Sequence, residues 1–207
     1  MAGSVRTIGI TGGIGSGKSE VRRFLSRISY PCADADGFAS EVLSSAEGAA
    51  EIGRLFGSAV MTPSGQVNKI ALRKLAFSDA TARVRLEAFM HPAIQARFEA
   101  WRKRFVDAVL PSSLWLFYEA SLLVEKDRKR DFDRLILVTA DLESRRERIQ
   151  PRGLDQDAFD AVVSAQATDQ LKSKVADFTL INNGSLQELY ASVMRMLVWL
   201  GNEFSQS

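Results

Sequence analysis

Cysteine and histidine are almost absent from this 207-residue chain, which has one of each: Cys32 and His91. A single cysteine leaves no partner for an intramolecular disulfide, and a reducing, cytoplasmic compartment fits. No apolar run approaches the roughly 18 residues that a membrane span needs. Arg6 near the N-terminus is followed by no signal-peptide core, because Gly9, Thr11 and Gly12 interrupt the run. Charge of one sign is not in excess either. The formal net charge is +2, too small to argue for nucleic acid. Repeats and low-complexity segments are lacking. What is present is ordinary: hydrophobic residues make up 46% and charged residues 25%. That balance excludes disorder and collagen, and leaves a globular enzyme or binding domain with neither a membrane nor a nucleic-acid partner.

Short β-branched apolar runs alternate with helical patterns. Thr7–Thr11, Pro31–Ala33, Leu114–Tyr118, Leu135–Val138 and Phe178–Ile181 read as strands. Ser19–Ile28 reads as a helix with Val21, Phe24, Leu25 and Ile28 on one face. This order predicts an α/β fold with a five-stranded, mainly parallel sheet. Between the second and third strands lies a long helical stretch, from about Phe38 to Val109. Its last helix is predicted to start at Pro92, with Ile94, Phe98, Trp101, Phe105 and Val109 on one side. An excursion of that length suits a helical subdomain, over about 37–110. The final helix opens at Ser185-Leu186-Gln187-Glu188, which has capping-box spacing.

Gly12-Gly13-Ile14-Gly15-Ser16-Gly17-Lys18-Ser19 fits G-x-x-x-x-G-K-[ST], the phosphate-binding P-loop. A strand precedes it and a helix follows it, as the motif requires. Glycines let the backbone curl so that successive N–H groups face an anion, and the helix N-terminus adds partial positive charge. Lys18 is the residue to reach the β- and γ-phosphates, and the Ser19 hydroxyl the one to hold Mg²⁺. Gly13, Gly15, Ser16, Gly17 and Glu20 complete the expected ATP contacts. The Glu20 carboxylate must point away from the α-phosphate. A P-loop alone leaves the phosphoryl acceptor open.

Asp34-Ala35-Asp36 follows the second predicted strand, at the sheet edge where open parallel sheets bind ligands. A carboxylate there suits an acceptor hydroxyl; the competing reading is that Asp36 caps the next helix. Arg145, Arg148 and Arg152 fall at i, i+3 and i+7, so a continuous helix would align them toward phosphates, unless they form a solvated basic face. Pro151 is expected to end that helix near Arg152. His91 precedes Pro92 at a predicted helix start, where a structural or capping role outweighs catalysis. Cys32 reads as a small core residue. Asn68-Lys69-Ile70-Ala71 lacks the aspartate of a guanine reader, which argues against a GTPase switch.

At this point the chain resembles the dephospho-coenzyme A kinases. Beyond the P-loop, the matching residues are Asp34-Ala35-Asp36, Phe56-Gly57, Gly65, His91-Pro92, Leu122-Leu123 with Glu125, Arg148, Arg152, Ala165-Gln166, Lys172, Ala176-Asp177, and Asn182 with Gly184. They run in family order over about residues 6 to 200. The resemblance implies a P-loop core, a helical acceptor-binding subdomain and a lid, over about 142–175. It implies ATP-dependent phosphorylation of the ribose 3′-hydroxyl of dephospho-coenzyme A, with Mg²⁺ as cofactor. In that picture Asp36 is the catalytic carboxylate, placed near the acceptor and near Mg²⁺. Lys18 and Arg148 assist the transfer, and Arg148 and Arg152 are lid arginines on ATP. Asn182 lies near the adenine, and His91 and Leu122 near the acceptor. A monomer is the expected state, with oligomers left open.

Several positions depart from the family pattern: Glu20, Ser40, Asn68-Lys69, Glu119-Ala120-Ser121, Arg145 and Val162. The phosphate-handling residues are intact, whereas the acceptor contacts are where the chain differs. Two alternatives therefore stay beside the first reading. One is a kinase of another nucleotide-like small molecule, and the other an ATP-binding module without turnover.

Overall fold

The computed structural model describes residues 4–108, 113–153 and 155–205, and at position 152 the backbone alone. The chain divides into two compact units, 1–33 with 109–207 and 34–108.

The first unit is built on a sheet. Its strands are β1 (Val5–Thr11), β2 (Cys32–Asp34), β3 (Leu114–Glu119), β4 (Arg134–Thr139) and β5 (Phe178–Ile181), in spatial order β2-β3-β1-β4-β5. β1 pairs parallel with β3 and β4, and β4 pairs parallel with β5. The fold is therefore the expected α/β class. Central strands covered on both faces bury every position, so they appear in the sequence as unbroken apolar runs. In β4, Leu135, Ile136, Leu137 and Val138 are all fully buried.

Helix α1 (Lys18–Arg27) is the next element after β1, and α9 (Leu186–Ser205) is the last described element. Val21 and Leu25 of α1 meet Leu189, Val193 and Met196 of α9 over Ile8, Ile10 and Phe117 of the sheet. Burial of these side chains contributes about 1.5–3 kcal/mol each. The α9 capping box forms as its spacing predicts: Ser185 N–H donates to Glu188 Oε2 at 2.7 Å, and Glu188 N–H donates to Ser185 Oγ at 3.3 Å. A helical segment, α6 (Leu142–Ile149), α7 (Gln156–Ala165) and α8 (Asp169–Val175), connects β4 to β5.

The second unit is helical: α2 (Ala35–Ser44), α3 (Ala46–Phe56), α4 (Lys69–Ser78) and α5 (Ala80–Val106). Ile52, Val60, Val67 and Leu72 form one core cluster. Phe38, Phe98 and Phe105 pack around Trp101, with ring centroids 5.4–6.4 Å from it. Two expectations change here. Pro92 does not start a helix: α5 begins at Ala80, capped by the Asp79 carboxylate, and Pro92 lies inside it. An interior proline costs about 3 kcal/mol, and burial of Met90, Phe98 and Trp101 on either side offsets that loss. His91 is therefore a mid-helix, exposed residue with no capping role. Val109, expected on the same face, lies outside the described residues. The cap of α2 is Asp34, whose side chain accepts the Gly37 N–H at 2.7 Å. Asp36 sits in the first turn and is exposed.

Candidate active site

The Gly-rich turn lies between β1 and α1, at the C-terminal end of the central strand. Gly17 takes φ +101°, a left-handed conformation that disfavours side chains, and a Cβ there would collide with the Asn182 amide. At Gly13 a Cβ would overlap the Arg145 guanidinium. Gly17 is thus required by strain and close approach, whereas at Gly13 the clash is with the movable end of a side chain.

Side chains distant in sequence hold the turn in place. Asn182, 5% exposed, donates its amide N–H to Ser16 O at 2.8 Å. Arg145 Nε donates to Ile14 O at 2.8 Å, and Gln166 Oε1 accepts the Ile14 N–H at 3.1 Å. The Arg145 guanidinium also pairs with Asp169 at 3.2 Å. The two flanks of α7 therefore grip one residue of the loop. Lys18 is buried, and its Nζ donates to Gly13 O at 3.0 Å. The Ser16 hydroxyl is buried, with no hydrogen-bond partner among the described residues. A curled backbone with a buried lysine and an unspent hydroxyl suits an anion of several oxygens.

Ser19 donates its hydroxyl to Glu119 Oε1 at 3.0 Å, and Arg22 Nε donates to Glu119 Oε2 at 2.8 Å. Glu119 ends β3, the neighbour of β1, and is 9% exposed. A hydroxyl backed by a carboxylate is a hard-oxygen donor set, which fits Mg²⁺. Among the described residues no group of three or more His, Cys, Asp or Glu could hold a metal by itself. Mg²⁺ bound through one or two protein oxygens plus substrate phosphates needs no such group. The sequence marks Glu119 only as a departure from the family pattern, and its contact to Ser19 was not anticipated. The one available signal was an acidic residue ending a buried strand.

The Glu20 carboxylate is held by side chains of α9 and α1. Tyr190 O–H donates to its Oε1, and Arg23 Nη1 lies 2.8 Å from its Oε2. The predicted arginine row does not form as a row. α6 stops at Ile149, and a single 3₁₀ turn, Gln150–Arg152, interrupts the face around Pro151. Arg145 is committed to the loop backbone, and Arg146 pairs outward with Asp160. Arg148 Nη2 donates to Asn182 O at 2.8 Å, while its buried Nη1 has no hydrogen-bond partner among the described residues. The Arg152 side chain lies outside the described residues.

Of the acceptor candidates, Leu122 lies in the turn after β3 and is 41% exposed, whereas Leu123 beside it is buried. Asp36 and His91 belong to the second unit. In that unit two departures meet: Lys69 Nζ donates to Ser40 Oγ at 2.6 Å. Cys32 is half-buried, its thiol donating to Tyr30 O at 3.4 Å, and burial raises its pKa.

The family model for dephospho-CoA kinase matches residues 6–188. The chain belongs to the dephospho-CoA kinase family. A dephospho-CoA kinase of Corynebacterium glutamicum is 34% identical over 192 residues, 92% of this chain and 94% of that protein. A solved structure from Thermus thermophilus has a TM-score of 0.79 at 34% identity, and covers 95% of this chain and 98% of its own. The Campylobacter jejuni dephospho-CoA kinase, at 21% identity, has a TM-score of 0.66 over 93% of this chain and 96% of its own, and supports the fold. Kinases of this family use ATP. Among the described residues no helix is long and apolar enough to cross a membrane.

Proposed function

We propose that this dephospho-CoA kinase family member transfers the γ-phosphoryl group of ATP to the ribose 3′-hydroxyl of dephospho-coenzyme A, giving coenzyme A and ADP. The observation that carries the reading is the braced P-loop, with Ser19 backed by Glu119, in a chain matching the family from residue 6 to 188. The N–H groups of Gly13, Gly15, Gly17, Lys18 and Ser19 supply the anion cradle, while the Glu20 N–H donates to Gly17 O at 3.0 Å and turns to the α-phosphate only by leaving that bond. Lys18 exchanges the Gly13 carbonyl for the β- and γ-phosphate oxygens. Ser19, with Glu119 behind it, and Asp36 are the residues that would hold Mg²⁺. When bound there, Mg²⁺ supplies charge that offsets the phosphate oxygens.

Asp36 orients the 3′-hydroxyl and takes up its proton. The 3′-oxygen bonds to the γ-phosphorus as the bond from that phosphorus to the β-bridging oxygen breaks, and ADP departs. Arg148, through its unspent Nη1, and Arg152 stabilise the transferring group. The segment over about 142–175 acts as the lid that excludes water. Asn182 lies near the adenine and also fixes the loop carbonyl. His91 and Leu122 contact the acceptor. The enzyme works in the cytoplasm as a monomer.

The experiment is ADP release from Mg-ATP with dephospho-coenzyme A, with nucleoside monophosphates, and with no acceptor. Dephospho-coenzyme A is expected to be the acceptor that drives turnover. Faster turnover with a nucleoside monophosphate would replace the acceptor. ATP binding with no acceptor-dependent ADP would remove the activity.

A further inference from the structure

Glu20 places a negative charge where the proposed function needs a phosphate. It is the third residue of α1, at the helix end whose free N–H groups and partial positive charge attract anions. A free carboxylate in this first turn is drawn to the same N–H groups as the nucleotide's α-phosphate. The structure instead shows both carboxylate oxygens engaged elsewhere. Tyr190 O–H donates to Oε1 and Arg23 lies 2.8 Å from Oε2.

These two partners are unequal. The Arg23 side chain is 54% exposed, and an exposed ion pair at i,i+3 is weak and easily exchanged for water. Tyr190 is fixed. Its ring stacks on Phe24 with centroids 4.2 Å apart and an interplanar angle of 13°, and it rises from the well-packed α9. A tyrosine hydroxyl is protonated throughout the neutral range and so remains a donor there; the hydrogen bond to Glu20 raises the Tyr190 pKa further, against a smaller lowering by Arg27.

We infer that Tyr190 is a positioning residue for nucleotide binding: from α9 it holds the Glu20 carboxylate off the α-phosphate end of the P-loop. This rests on the reading of the loop as an ATP site. Without the hydroxyl, the carboxylate regains rotamer freedom and repels the incoming triphosphate. At a separation within the Debye length of about 8 Å, one like charge in a partly buried setting weakens binding by about three- to tenfold.

The test is a two-residue cycle read by direct ATP titration and by the split between KM and kcat. Tyr190→Phe keeps the ring stack and removes only the hydroxyl; circular dichroism checks that it folds. Its Kd and KM for ATP are expected to rise about three- to tenfold, the loss falling there rather than on kcat, and to recover with added salt. Glu20→Gln is expected to bind ATP at least as tightly as the unmodified chain. The double variant is expected to match Glu20→Gln, because Tyr190 has no charge left to restrain. Equal weakening by Tyr190→Phe in both backgrounds would make the tyrosine a structural tether and overturn the inference. So would an unchanged Kd in Tyr190→Phe. An unmodified chain that binds no ATP would overturn the nucleotide-site reading itself.

Discussion

Glu119→Gln is the most informative single substitution in the catalytic unit. The carboxylate accepts from Ser19 at 3.0 Å and from Arg22 at 2.8 Å, with side chains 11% exposed for Glu119 and 28% for Arg22. Hydrogen bonds to a charged group contribute about 1.5–3 kcal/mol in such settings, and a fully buried broken pair costs about 3–5. Arg22 reaches solvent and glutamine keeps the shape, which places the loss near the low end, at about 2 kcal/mol. For a chain of this length that lowers Tm by about 4–8 °C. The catalytic effect should be larger. If Glu119 keeps Ser19 oriented toward Mg²⁺, turnover falls about 100-fold and the Mg²⁺ concentration needed for half-maximal rate rises. Thermal melting and ADP release against an Mg²⁺ series measure both. A variant that melts with the unmodified protein and keeps its Mg²⁺ dependence would refute the role given to this residue.

Lys18→Ala should remove turnover by about 100-fold or more, measured by ADP release at saturating acceptor. Asp36→Asn should lower kcat by about 100-fold or more while changing ATP affinity far less, and equal turnover would end its catalytic assignment. Asn182→Ala leaves the Ser16 carbonyl without its amide donor, so stability should fall by about 1–2 kcal/mol in a urea melt. The raised Tyr190 pKa carries a pH dependence. Its hydrogen-bond contribution is present in full below the ordinary tyrosine value of 10.0, and is lost as pH rises through the higher folded value. Ultraviolet titration should show Tyr190 ionising late, as burial also makes Tyr30 do, and Glu20→Gln should reduce the delay of Tyr190 alone.

The sheet was legible because its central strands β1, β3 and β4 are largely buried on both faces, and because its edge strand β5 is still a short apolar run. Phe178–Ile181 matches β5 in full, and Leu114–Tyr118 and Leu135–Val138 extend by only one or two residues. Helix boundaries set by side-chain caps were less legible. Asp34 and Asp36 are chemically equal candidates, and strand geometry decides that Asp34 caps. Pro92 carries the same letter whether it opens a helix or sits inside one, and tertiary packing decides. The phosphate loop was readable as a local motif, whereas its braces were not. Ser19 and Glu119 are 100 residues apart and meet because β3 pairs beside β1. Arg145 reaches Ile14 across 131 residues, so its burial against the loop cannot be read from a helical row of arginines.

The central claim is the identity of the hydroxyl that receives the phosphoryl group. ³¹P NMR of the product formed from Mg-ATP and dephospho-coenzyme A measures it directly. A new phosphomonoester resonance coupled to the ribose 3′-proton, appearing in step with ADP, is the result this account predicts. ADP formed with inorganic phosphate alone, or a phosphate at any other position, would contradict it.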